Sequence, residues 1–318
     1  MNLFIYIPTY NRPNALRKQL TALTVQVDDY KGKIRVLVSD NSSPENVYNK
    51  LATYYTNENI TFRRNPGNIG ANANIALGFT LARADEFLWI LSDNDFISDK
   101  AIDNILPHLR DDIEFNLLSP NSSQIKDIDY GYEEGWSGYL FESPVGLISN
   151  VIHNMKLIAP HIASAFFYHN TSFPHLAVIF TTIKEKGRVK LRILPAGDLF
   201  NLKSFDDNQP GNYRLSQEGM PLISPLLNPV AAKKFCIYWL KRHGVDFFTY
   251  RRNFPDIHLQ TRVILETYGG WTAYGLLFFS WFLNGIRIVI KKNISWLRLI
   301  TPSFIKKIIR QLSKYFRK

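Results

Sequence analysis

Short apolar runs fill the first third of the chain, and each is stopped by a polar cluster. Leu3-Phe4-Ile5-Tyr6-Ile7 reads as a buried strand closed by Pro8. Pro13 suits the first turn of a helix, after which Leu16, Leu20 and Leu23 share one face at i, i+4 and i+7. Ile34-Arg35-Val36-Leu37-Val38 predicts a second strand, ended by the turn signal Ser39-Asp40-Asn41-Ser42-Ser43-Pro44. A helix is expected over 44–55, then a third strand at Ile60-Thr61-Phe62-Arg63 that Asn65-Pro66-Gly67-Asn68 breaks. A helix of small residues is expected over 70–84. Phe87-Leu88-Trp89-Ile90-Leu91 predicts a fourth strand, stopping at Ser92-Asp93-Asn94-Asp95. After one more helix, Phe115-Asn116-Leu117-Leu118 predicts a fifth.

This alternation implies right-handed βαβ units and an α/β fold with a mainly parallel central sheet flanked by helices. Ligands of such sheets bind beyond the carboxyl ends of the strands. The polar clusters Thr9-Tyr10-Asn11-Arg12, Asp40-Asn41, the stretch 65–74 and Asp93-Asn94-Asp95 all follow strands, so they are expected to converge. Residues 120–150 read as a long Gly/Ser/Tyr/Trp loop, a lid or variable insert. A helix is expected over 176–183 and a strand over 189–194 before Pro195; residues 205–225 read as loop. From 229 the pattern is helical, turning aromatic after Gly270 and then basic. The organisation expected is an α/β half over 1–120, a second half with a variable loop over 121–228, and a helical carboxyl-terminal region over 229–318.

Composition narrows the class. With 318 residues, 46% apolar and 20% charged, the chain can bury a core and is not intrinsically disordered. A single cysteine, Cys236, excludes a disulfide framework and a cysteine-based zinc site, and fits a reducing compartment. No signal-peptide pattern is read at the start. The net charge of +11 is uneven: residues 267–318 hold 10 Lys/Arg and no acid, against 28 Lys/Arg and 27 Asp/Glu elsewhere. A near-neutral body with a basic end predicts an anionic membrane surface as partner, and no nucleic acid.

Asp93 and Asp95, one residue apart at a strand end, can face one hard cation. Mg²⁺ or Mn²⁺ takes one or two carboxylates and leaves the rest of its sphere to phosphates; alone, the pair also reads as a polar turn with an Asp helix cap. Asp40 can accept from a uracil or ribose edge, or form an Asx-turn. Pro66-Gly67-Asn68-Ile69-Gly70 opens a helix whose amino end favours phosphate, yet it is neither a dinucleotide fingerprint nor a P-loop. Asn72 and Asn74 suggest a polar lining or a solvated face.

Taken together, Ile7-Pro8-Thr9-Tyr10-Asn11-Arg12, Val38-Ser39-Asp40-Asn41-Ser42-Ser43, Asn65-Pro66-Gly67-Asn68-Ile69-Gly70 with Asn74, and Leu91-Ser92-Asp93-Asn94-Asp95 resemble the nucleotide-sugar half of family 2 glycosyltransferases with the GT-A fold. The resemblance reaches to about residue 120. It implies that Pro8, Thr9 and Tyr10 bracket the nucleobase, with Asn11 and Arg12 beside them and Asp40 reading the base. Asn68, Gly70 and Asn74 would lie along the nucleotide. Asp93, with Asn94 next to it, would face the ribose, and Asp95, with Asp93, would hold a Mn²⁺ or Mg²⁺ ion bridging the diphosphate. An inverting member also needs a general base in its acceptor half. The usual Glu-Asp pair is missing at Ser172-Phe173-Pro174-His175-Leu176, which leaves His175 as first candidate and Asp198 as second; each also reads structurally, as a core or capping residue.

The apolar stretch 271–286 is interrupted by Asn284 and Arg287 short of the roughly 20 residues a spanning helix needs. Beyond it, Ile305, Ile308, Ile309, Leu312 and Phe316 share one helical side and basic residues the other, the pattern of an interfacial amphipathic helix. The function expected is an inverting, metal-dependent glycosyltransferase, peripheral on the inner face of the cell membrane. It would move sugar from a UDP-type donor to a hydroxyl of a growing lipid-linked glycan, in polysaccharide biosynthesis. The alternatives are a nucleotidyltransferase, or a non-catalytic membrane-associated nucleotide-sugar-binding protein.

Overall fold

The structure is a computed structural model that describes residues 1–30, 32–44, 49, 58–134, 144–171, 173–197, 199–201, 219–250 and 255–292. The chain divides into two compact units, 1–211 and 212–318.

Among the described residues the first unit has ten strands: β1 (Asn2–Thr9), β2 (Ile34–Asp40), β3 (Ile60–Arg64), β4 (Glu86–Ile90), β5 (Phe96–Ile97), β6 (Phe115–Ser119), β7 (Lys126–Gly131), β8 (Val151–Asn154), β9 (Arg188–Pro195) and β10 (Phe200–Asn201). Eight form one sheet in the order β3-β2-β1-β4-β8-β6-β9-β7, and β5 pairs with β10 in a small antiparallel ribbon. The ladders β3-β2-β1-β4 and β6-β9 are parallel, whereas β8 and β7 run antiparallel to their neighbours. This is a GT-A-like sheet. Central strands β1 and β4 are buried along almost their whole length, as parallel strands covered on both faces must be, and edge strand β3 is partly exposed.

Helix α1 (Pro13–Asp28) starts on Pro13 and buries Leu16, Leu20, Leu23 and Val27 against the sheet. Each such leucine contributes about 1.5–3 kcal/mol. Helix α2 (Ala71–Leu81) lies close over β1: a Cβ on Gly78 would stand 2.7 Å from the Tyr6 ring, so only glycine admits the approach. Helix α3 (Ala101–Ile105) and helix α4 (Pro174–Lys186) complete the cover, the latter ending at Gly187, whose φ of 74° is left-handed. The helix expected over 44–55, the tip of the 120–150 loop and position 198 lie largely or wholly outside the described residues. The described part of that loop holds β7.

The second unit contains helix α5 (Pro229–Tyr250) and helix α6 (Pro255–Lys292), which is broken at Gly270 (φ 58°, ψ −152°). They pack Cys236, Trp239 and Leu240 against Leu265, Ala273 and Leu277. Among the described residues no helix is long and apolar enough to cross a membrane. The basic amphipathic segment expected over 305–316 lies outside the described residues.

Candidate active site

The strand order reverses between β1 and β4, which opens a crevice beyond their carboxyl ends. Side chains from both strands meet there. Thr9 Oγ1 donates to Asp93 Oδ2 at 2.8 Å, and an Arg12 guanidinium N–H donates to Asp93 Oδ1 at 3.0 Å. Both oxygens of this buried carboxylate are therefore engaged. Burial pushes its pKa upward, opposed by the Arg12 charge and the Thr9 hydroxyl. Asp95, half-buried in the same turn, accepts a hydrogen bond from Ser149 Oγ at 2.6 Å on Oδ2, and among the described residues nothing bonds to its Oδ1. Its pKa is also raised, first by burial, with Ser149 and Arg12 pulling it down.

The neighbouring strand ends are tied in by backbone. The Asn41 N–H donates to Thr9 O and the Asn65 N–H to Asp40 O, each at 2.9 Å, so the ladder continues past three strand ends. Among the described residues, Asn11 (φ 51°) and Ser42 (φ 64°) are the non-glycine residues with left-handed φ, and both sit at this rim. The Asn11 N–H is held by Ser43 Oγ at 2.7 Å. Such conformations cost about 1–3 kcal/mol each and cluster at functional sites. Asp40 is buried: it accepts from the Ser43 N–H at 3.0 Å and from the Ser43 hydroxyl, with Arg64 at 3.6 Å. Asn74 faces inward; its side chain receives Ser39 Oγ at 2.7 Å and Tyr6 Oη at 3.1 Å. Asn41 and Asn68 clamp the 65–70 loop: Asn41 Nδ2 donates to Asn68 Oδ1 at 2.8 Å, which also accepts the Gly70 N–H at 2.9 Å. Gly70 itself needs its φ of 87° to start α2. Tyr10, Asn68, Gly70 and Asn94 are exposed at the crevice, and Pro8 is half-buried.

Residues 4–159 match the family described as Glycosyl transferase family 2. The chain carries a family 2 glycosyltransferase domain. None of the curated proteins compared matches its sequence. Among solved structures, S. aureus TarS 1–349 in complex with UDP-GlcNAc is similar with a TM-score of 0.60 at 13% identity, over 89% of this chain and 88% of that one. The crystal structure of TarS 1–349 gives 0.57 at 13% over the same shares. Its complex with UDP gives 0.54 at 14%, over 80% of this chain and 74% of that one. At this identity the likeness establishes the fold alone.

The site of this glycosyltransferase fits a divalent cation in one specific sense. Among the described residues no cluster of three or more metal-ligating side chains exists, so no all-protein cage is present. What is present is a carboxylate one of whose oxygens has no bond among the described residues, beside a second whose oxygens are both bonded, each with its pKa raised by burial. A Mg²⁺- or Mn²⁺-type ion, which takes few protein ligands, would be held there by Asp95. Both oxygens of Asp93 already accept a hydrogen bond, from Thr9 and from Arg12.

His175 is not brought to the crevice. It is fully buried on α4, one ring nitrogen lies 3.0 Å from Val145 O, and burial lowers its pKa to about 4. A ring with no exposed surface cannot meet an acceptor hydroxyl. Ser149 is the residue that sequence reasoning missed. It precedes β8, and its hydroxyl joins Asp95 to the Ser92 N–H, which donates to it at 2.9 Å. A serine in a loop carries no sequence signal of this kind. The pairing of β8 with β4 is what brings it there. A separate groove of about 630 Å³ between α1 and β5 is lined by Arg17, Lys18 and Phe96 among others.

Proposed function

We propose that this glycosyltransferase takes its sugar from a nucleoside-diphosphate donor, UDP-linked, with Mg²⁺ or Mn²⁺, and delivers it with inversion to a hydroxyl of a lipid-linked glycan at the cytoplasmic face of a membrane. The observation that carries the donor half is the Thr9–Asp93–Arg12 junction at the β1/β4 crevice, with Asp95 next to it, whose Oδ1 has no bond among the described residues. TarS, similar in fold, has been crystallised with UDP and with UDP-GlcNAc. Thr9 and Arg12 bond both oxygens of Asp93, which braces the turn that presents Asp95. A cation on Asp95 would neutralise charge developing on the departing diphosphate. Tyr10 offers an exposed ring for a base to stack on, and the 65–70 loop, braced by Asn41, Asn65 and Asn74, presents backbone at the start of α2.

For the general base we propose Asp198 in place of His175. Leu199 O accepts the Ser98 N–H at 2.8 Å, and Phe200 pairs with Ile97, so the chain flanking position 198 runs beside the segment that follows Asp95. A carboxylate there would take the proton of the acceptor hydroxyl as it attacks the anomeric carbon.

The lipid-linked acceptor and the membrane location rest on the basic, acid-free end of the sequence. Turnover of UDP-sugars with and without Mg²⁺ or Mn²⁺, in the native chain and in Asp95→Asn, tests the reading. We expect metal-stimulated turnover that falls by about a hundredfold or more in the variant, as for loss of an electrostatic stabiliser worth about 3 kcal/mol. Equal turnover in both proteins rejects the metal role of Asp95. Absence of turnover in the native chain with every donor tried, despite donor binding, favours the non-catalytic reading.

A further inference from the structure

Six large aromatic side chains stand in solvent on one helix of the second unit. After the break at Gly270, α6 buries Ala273, Leu277 and Ser280, spaced as one helical face, towards the core of that unit. Its opposite side carries Trp271 (90% exposed), Phe278 (68%) and Trp281 (58%), with Tyr274, Phe279 and Phe282 beside them. Rings along it lie against one another at a tilt: the centroids of Trp271 and Tyr274 are 5.9 Å apart, those of Phe278 and Trp281 6.0 Å. No charged residue occurs anywhere in 267–286. Exposing this much contiguous aromatic surface to water is unfavourable, so it marks a surface that is covered in use.

What covers it follows from charge. The flanking sequence, 287–318, supplies all 10 Lys/Arg of the last 52 residues, and these hold no Asp or Glu. A second copy of the chain would bring an equally basic segment against the first and be repelled. An anionic lipid surface attracts the bases and accepts the rings. Tryptophan and tyrosine favour the headgroup layer, where one part of the ring is apolar and the other wet. No described helix is long and apolar enough to cross a bilayer, which suits a helix that lies along one.

We propose that the aromatic face of α6, centred on Trp271, Phe278 and Trp281, inserts into the interfacial layer of an anionic membrane with the helix lying parallel to the surface. This rests on the membrane reading of the basic end and deepens it: the bases attract, and the rings anchor. In the glycosyltransferase such an anchor would hold the chain on the surface that presents a lipid-linked acceptor.

The test uses the full chain with vesicles of phosphatidylcholine, with and without phosphatidylglycerol. Brominated acyl chains serve as quenchers of tryptophan fluorescence. The native chain is expected to co-sediment with anionic vesicles and to be quenched. The triple variant Trp271→Ser, Phe278→Ser, Trp281→Ser is expected to bind at least about tenfold more weakly, because partition scales with the apolar area inserted. Its Tm and UDP-sugar turnover in solution are expected to be unchanged. Should the triple variant fail to fold, the single Trp271→Ser, at a position almost entirely in solvent, is expected to weaken binding and reduce quenching. Native and variant chains binding anionic vesicles equally would overturn the proposal while leaving the basic end as sole anchor. No binding of the native chain to anionic vesicles would reject the underlying membrane reading as well. A native dimer in light scattering that the triple variant abolishes would assign the face to a second copy and overturn it too.

Discussion

Removing the Ser149 hydroxyl isolates what Asp95 does. In Ser149→Ala two bonds disappear at once: the 2.6 Å bond to the Asp95 carboxylate and the 2.9 Å bond from the Ser92 N–H. Ser149 is buried, so water does not simply take its place. A hydrogen bond to a charged group contributes about 1.5–3 kcal/mol, which corresponds to about ten- to a hundredfold in kcat/KM if the bond holds Asp95 in its reactive position. The orphaned amide adds about 1–3 kcal/mol of lost fold stability. The pH profile adds a signature that plain destabilisation lacks. The Asp95 pKa is raised by burial and lowered by Ser149, so deleting the hydroxyl raises it further. Donor turnover that needs the carboxylate then loses its acid limb at a higher pH than in the native enzyme. The measurement is kcat/KM for UDP-sugar turnover from acid to neutral pH, with thermal unfolding of both proteins alongside. A variant whose rate stays within about twofold of native, with an unmoved acid limb, refutes the claim that Ser149 positions Asp95.

Two further predictions concern the scaffold. Gly78→Ala puts a methyl 2.7 Å from the buried Tyr6 ring and should cost about 1–3 kcal/mol, read as a lower Tm, together with weaker donor binding because α2 carries Asn74 into the loop network; an unchanged Tm would show that α2 is free to shift. His153 and His175 are both fully buried, with pKa values lowered to about 3 and about 4. The unfolded chain takes up their protons below about pH 6.5 while the folded chain does not, so stability falls as pH drops from there through about 4, by about 1.4 kcal/mol per pH unit for each histidine. His153→Leu, between the Phe79 and Phe115 rings, should flatten that decline by one histidine's share in urea unfolding at several pH values, and an identical decline would refute the assignment.

Much of the first unit was legible because its signals are local. Each central strand is a continuous apolar run ended by a polar cluster. Parallel strands buried on both faces must look like that, and βαβ handedness then forces the clusters to one edge. That Thr9, Arg12, Asp93 and Asp95 stand close together follows from this, because polar residues after adjacent parallel strands share one edge of the sheet. The aromatic turn of the chain after Gly270 and the acid-free basic end were equally plain in composition.

Other features depend on contacts between distant residues, which no local pattern encodes. Thr9 and Asp93 are 84 residues apart, and that both oxygens of Asp93 are engaged was decided only when Arg12 also reached it. The insertion of antiparallel β8 between β4 and β6 delivers Ser149 to Asp95 across 54 residues. Asn74 looked like lining and proved to be a buried brace. His175 looked titratable and proved to be core, because its helix faces the sheet. Sequence determined which segments are strands and what chemistry stands at their ends. Tertiary structure alone decided which polar groups are consumed by one another and which remain free. Hydrogen-bond saturation is a property of three-dimensional neighbours, whereas the burial of an apolar run is already written in its own residues.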